Sequence, residues 1–244
     1  MEKREPIFNV PWAVSAWLAV IVGIHALRSV LAEANDEWLV LAMAFIPARY
    51  AGLAAELPGG SLAMVTSPAT HMLVHGDIVH LVLNAAWLLA FGSAIGRRIG
   101  SWKFLAFSLF CGVAGALGFY LAHPGLLVPV VGASGALSGL MAAALRCLLS
   151  AVDQGGLWYL RENPQSIILT PLREALLDKR LVGATLIWLL LNVLAIYGVG
   201  TARPVGGIAW EAHVGGFLAG LLGFGVFDLK SDLSSQSHNK PTYH

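Results

Sequence analysis

Ser134 opens a run of very small residues, Gly132-Ala133-Ser134-Gly135-Ala136-Leu137-Ser138-Gly139, at the head of an apolar stretch. A serine hydroxyl is a weak nucleophile until a base takes its proton, and an imidazole can do so near neutral pH. His213, in Glu211-Ala212-His213-Val214-Gly215-Gly216, is a candidate base. Together they would support acyl transfer, where general-base help contributes roughly 10²–10⁴-fold. The developing oxyanion needs donors, each worth roughly a further 10²–10³-fold. His80 and Asn84 are four residues apart, hence on one helix face, and the Ser134 amide at a helix start is a third. No carboxylate is spaced to orient His213: Glu211 faces elsewhere on a helix and Asp77 sits at the rim of its segment. A Ser134–His213 dyad is therefore the economical expectation.

These residues depend on apolar elements to bring them together. Apolar residues make up 57% of the 244-residue chain and charged ones 12%, with a mean hydropathy of +0.72. That lies far from the makeup of a soluble domain and reads as an all-α polytopic membrane protein. A net charge of +1 argues against a nucleic-acid surface, which needs a concentrated basic face. Cys111 and Cys147 both fall inside apolar runs and read as small packing residues.

A helix needs about 20 mostly apolar residues to cross a bilayer. Six segments reach that length: 11–31, 78–96, 102–122, 132–150, 181–200 and 207–227. The first is too long for a signal-peptide core and has no clear cleavage site, so a retained span is expected. Lys3 and Arg4, then Arg97, Arg98 and Lys103, then Arg161, Arg173, Lys179 and Arg180, and finally Lys230 concentrate positive charge at alternate connections, while Arg49 and Arg203 fall on the other side. The bias predicts cytoplasmic termini. Spans two, four and six then run inward, with His75, His80, Asn84, Ser134 and His213 at a similar shallow depth near the outer surface.

The expected layout is a cytoplasmic N-terminus (1–10), a membrane domain (11–229) and a polar, disordered tail (230–244). Segment 32–74, broken by Pro47, Pro58, Gly59, Gly60 and Pro68, predicts short interfacial helices in the outer leaflet, with a solvent-exposed loop as the alternative. Segment 151–180 predicts an amphipathic cytoplasmic cover with a helix over 171–180, and Arg97 and Arg98 read as topology anchors. There is no clear internal repeat.

Gly135 and Gly139, and likewise Gly216 and Gly220, form Gly-x-x-x-Gly pairs that permit close helix approach. Packing alone is the commoner meaning of such pairs, and of a serine bonded back to its own helix. Ser138, one turn deeper than Ser134, fits that plainer role. His71, His75 and His80 loosely share one side, which raises zinc binding as a minor alternative. His25 and His123 read as satisfied or interfacial residues. The α/β-hydrolase elbow Gly-x-Ser-x-Gly is absent, and a transporter would show repeat symmetry and midplane charges that this chain lacks.

Three motifs resemble the rhomboid family of intramembrane serine proteases. His75-Gly76-Asp77-Ile78-Val79-His80-Leu81-Val82-Leu83-Asn84 is similar to its His-x4-His-x3-Asn, Gly132-Ala133-Ser134-Gly135 to its Gly-x-Ser-Gly, and Ala212-His213-Val214-Gly215-Gly216 to its Ala-His-x-x-Gly. The resemblance spans about 70–225 and implies a six-transmembrane-helix bundle. It further implies Ser134 as nucleophile, His213 as general base, and His80 with Asn84 supporting the oxyanion. His75, Gly132, Gly135 and Gly216 would be structural near the site.

By the same resemblance the chain would be a serine-type endopeptidase that needs no metal or cofactor. It would cut transmembrane substrates near the outer leaflet, in regulated proteolysis, from a bacterial cytoplasmic (inner) membrane. A catalytically inactive relative that binds membrane clients is the alternative. The chain departs from the family in lacking its Trp-Arg pair in the first long loop. It also has Gly96 where a Glu is usual, and Ser138 where many members place an aromatic residue against the base.

Overall fold

The computed structural model describes residues 10–196 and 209–228. The expected polar tail, nearly all of the N-terminal segment, and the end of the fifth expected span with Arg203 lie outside the described residues. Among the described residues the regular structure is helical, apart from an isolated antiparallel bridge between Phe45 and Val130.

Helix α1 (Trp12–Arg28) buries Ala13, Val14, Trp17 and Ile21, a single face at spacings of three and four. Then come α2 (Glu33–Met43) and α3 (Gly60–Thr70). Helix α4 (Ile78–Ile99) contains a π turn at Leu88–Gly92. Gly100, at φ +80, turns the chain directly into α5 (Ser101–Ala122). Helix α6 (Ser134–Asp153) follows, then the short α7 (Trp158–Glu162) and α8 (Leu172–Leu177), α9 (Lys179–Ile196) and α10 (Trp210–Phe227).

About 20 helical residues rise about 30 Å, the thickness of a bilayer's hydrocarbon core. Helices α4, α5, α6 and α10 are long and apolar enough to cross it. With exposed Val79, Val82, Leu83 and Trp87 on α4 and Leu218, Leu222 and Val226 on α10, apolar side chains point outward where lipid would cover them. The protein is a multi-pass membrane protein. Of the six spans expected, these four meet both criteria among the described residues. Helix α1 is shorter and ends at Arg28, whose guanidinium pairs with Asp36 at 2.6 and 3.1 Å and donates to the His75 carbonyl. Helix α9 runs for 18 residues and leads into the undescribed stretch.

Segment 32–74 does form short helices, and they are docked on the protein. Phe45 and Val130 exchange backbone hydrogen bonds of 3.0 and 2.8 Å, the Ala48 amide donates to the Leu126 carbonyl, and the Gly132 amide donates to the His71 carbonyl at 2.9 Å. Arg49, counted above on the outer side, is buried and donates to the Leu41 carbonyl at 2.5 Å. This segment therefore braces 126–132, the strand of chain that leads into Ser134.

Two further expectations need correction. The single helix over 171–180 breaks at Asp178, whose backbone is extended. Its carboxylate accepts the Arg180 amide at 2.8 Å, capping α9 in the manner of an N-cap aspartate, so Lys179 and Arg180 belong to the first turn of α9. Arg98 is also more than a topology anchor: it is buried, pairs with Asp228 through two contacts of 2.7 Å, and donates to the Pro164 and Ile167 carbonyls. With Arg146 donating to the Leu221 and Thr170 carbonyls, it ties segment 151–180 to the ends of α4, α6 and α10.

Candidate active site

Helices α5, α6 and α10 meet through glycines at backbone distance. A Cβ on Gly115 of α5 would lie 2.7 Å from the Ala212 carbonyl oxygen, and one on Gly118 would lie 2.9 Å from that of Glu211. A Cβ on Gly216 would run into the Gly135 carbonyl, and one on Gly220 into Gly139. The two Gly-x-x-x-Gly pairs expected to permit close approach thus face each other. The share of α5 in the junction is not evident from those pairs.

This closeness brings the start of α6 against the first turn of α10. Ser134 Oγ and His213 Nε2 lie 2.8 Å apart. Gly132, two residues earlier, has φ +108, a conformation that L side chains rarely adopt. Its missing side chain also leaves room for the His80 ring, since a Cβ there would sit 2.5 Å from His80 Nε2. Asp77 caps α4 by accepting the His80 amide at 2.8 Å. Asn84 is buried and its side-chain amide donates to the His80 carbonyl at 2.8 Å. His80 thus lies over the turn that presents Ser134, with Asn84 one helical turn beyond it.

His75 sits behind His80, ring edge to face at a centroid distance of 5.1 Å. Ser138 donates to the Ser134 carbonyl at 2.8 Å, the packing role expected of it. Glu211 is engaged by His123 at 2.7 Å. The residue that sequence reasoning missed is Asn192 on α9, whose Oδ1 lies 2.7 Å from His213 Nδ1. Its signal was present: it is the lone amide in Leu186-Ile187-Trp188-Leu189-Leu190-Leu191-Asn192-Val193-Leu194, and polar groups within membrane helices call for an explanation.

A hydroxyl hydrogen-bonded to an imidazole, at a helix start with free backbone amides, is an arrangement competent for nucleophilic acyl transfer. A family model, the rhomboid domain, matches residues 63–228, a stretch that contains all of these groups. The chain belongs to the rhomboid family. It is also similar to the rhomboid protease GluP of Bacillus subtilis (strain 168), 28% identical over 151 residues, which cover 62% of this chain and 24% of that protein. The chain thus matches about a quarter of the length of this curated relative.

In this rhomboid, two histidines beside the site lie outside the spans and are held neutral. Burial brings His71 down to about 4. Burial, reinforced by the nearby His80, His25 and Arg28, brings His75 down to about 3. The unfolded chain would protonate both near pH ~6.5, so below that value it binds more protons than the folded state. Stability contributed by these groups is complete above about pH 6.5 and falls as pH is lowered toward 4, by up to about 1.4 kcal/mol per pH unit for each. Melting temperatures in detergent should therefore drop across this window, and less steeply in His75→Gln. A flat profile would contradict the burial of neutral rings.

Proposed function

We propose that this chain is an intramembrane serine endopeptidase that hydrolyses a peptide bond of transmembrane substrates near the outer leaflet. The observation that carries the reading is the 2.8 Å contact between Ser134 Oγ and His213 Nε2. Family membership and similarity to a protein described as a rhomboid protease support it. Ser134 Oγ attacks the scissile carbonyl carbon as its proton passes to His213 Nε2. The Ser134 amide, His80 and Asn84 stabilise the oxyanion, with His75, Gly132, Gly135 and Gly216 holding the geometry around them. Collapse leaves an acyl group on Ser134 while His213 returns the proton to the leaving amine. Water then attacks the ester as His213 takes its proton, and His213 returns that proton to Ser134 Oγ as the acid product leaves.

The membrane arrangement belongs to the same reading. The rhomboid-like domain over 11–229 crosses six times, with α1 and α9 joining α4, α5, α6 and α10. Both termini are cytoplasmic, the site faces the extracytoplasmic side, and the host is a bacterial cytoplasmic membrane.

The test is cleavage of a reporter transmembrane helix by the purified protein in liposomes, together with labelling by a serine-directed phosphonate. Wild type should cut and label, and Ser134→Ala should do neither. Wild-type cleavage by Ser134→Ala would sink the proposal. Retention of the helix with neither cleavage nor label would favour an inactive client binder.

A further inference from the structure

We infer that Asn192 is a positioning residue, which holds the His213 imidazole in the tautomer that leaves Nε2 free to accept the Ser134 proton. This rests on the reading of Ser134 and His213 given above. Asn192 is buried, and its Nδ2 donates to the Trp188 carbonyl one turn back at 2.9 Å. That bond decides which way the amide faces: with the NH2 turned to its own helix, Oδ1 is the atom toward His213, 2.7 Å from Nδ1. An amide oxygen only accepts, so Nδ1 carries the hydrogen. In a neutral imidazole Nε2 is then the bare nitrogen, and the Ser134 hydroxyl donates to it across 2.8 Å.

The register of the helices supports the assignment. Trp188 stacks on Phe217 at a centroid distance of 4.4 Å and an interplanar angle of 16°. Trp188 to Asn192 and Phe217 to His213 are each four residues, so antiparallel α9 and α10 make the two pairs one turn apart. The stack sets the height at which the amide meets the imidazole. Among the described residues no carboxylate takes this place: Glu211 is bonded to His123 and Asp77 caps α4. A neutral acceptor is also the less costly choice within a membrane domain, where a buried carboxylate is expensive. A neutral amide oxygen orients the ring without adding a second charge, as the asparagine of papain-like Cys-His-Asn sites does.

The decisive measurement is steady-state cleavage of a reporter helix by Asn192→Leu and Asn192→Asp, with Ser134→Ala alongside. Asn192→Leu keeps the branched shape and removes the acceptor. It should lower kcat about 10–100-fold, leave KM within about twofold, and slow phosphonate labelling of Ser134 in parallel. Asn192→Asp restores an acceptor and should recover most of kcat. Its carboxylate would also favour the imidazolium, moving the acid limb of the kcat/KM profile to higher pH. The groups around His213 that enter that profile are Ser134 from α6, His80 from α4, and Glu211 on its own helix.

Wild-type kcat in Asn192→Leu, or a change confined to KM, overturns the inference. If Asn192→Leu unfolds, an unmoved acid limb in Asn192→Asp does so instead. Ser134→Ala separates the two claims: cleavage by that variant removes the nucleophile itself, whereas an inactive Ser134→Ala beside a fully active Asn192→Leu removes only the role of Asn192.

Discussion

Ser134→Ala should lower kcat for a reporter helix by on the order of 10⁴–10⁶-fold, as nucleophile removal does in soluble serine proteases. His213→Ala should cost a similar factor, since the hydroxyl is inert without a base. The double variant should be little worse than either single one, because residues acting on one proton transfer fail together. Single-turnover cleavage in liposomes, with thermal melts as a control for folding, measures all three. Full additivity of the two losses would mean that serine and histidine act in separate steps, contrary to their 2.8 Å contact.

Gly216→Ala should produce the largest effect outside the dyad itself, although it adds one methyl group away from the reacting atoms. The new Cβ would strike the Gly135 carbonyl, and it would lie 3.2 Å from that of Cys111, so backbone must yield on two helices. Overpacking of this kind costs about 1–3 kcal/mol. The same displacement separates α10 from α6 at the turn that pairs His213 with Ser134. A misplacement of about 1 Å can cost about 10²-fold in rate, so activity should fall by at least that much while some folded protein remains. Gly23→Ala on α1 is the matched control, with open space around the added Cβ, and should leave rate and melting temperature unchanged. Equal behaviour of the two variants would refute the idea that direct backbone contact sets the dyad distance.

Several elements were legible because their cause is local. Mostly apolar runs over 78–96, 102–122, 132–150 and 207–227 correspond to α4, α5, α6 and α10, since a chain in lipid must satisfy its own amides. Spacings of four placed Gly135 with Gly139 and Gly216 with Gly220, and these faces do meet. Two misses depend on where a side chain turns. The 171–180 helix was read through Asp178 because apolar and charged residues continue across it, while the cap depends on a side chain turning back to the Arg180 amide. Arg98 looked like any flanking arginine, and its burial depends on Asp228, 130 residues away in the chain.

The sequence by itself determined an all-helical membrane chain and a short set of hydroxyl, imidazole and amide groups carried on its helices, because periodicity and desolvation act within a single segment. Only the tertiary structure decided which of those groups touch. Asn192 and His213 are 21 residues apart and Ser134 and His213 are 79 apart, on helices whose rotation and height are free until their faces pack. Glycine contacts set the approach of α6 to α10, and the Trp188–Phe217 stack sets the register of α9 on α10. Those contacts between segments separate a lone polar residue in an apolar helix from one that orients an imidazole.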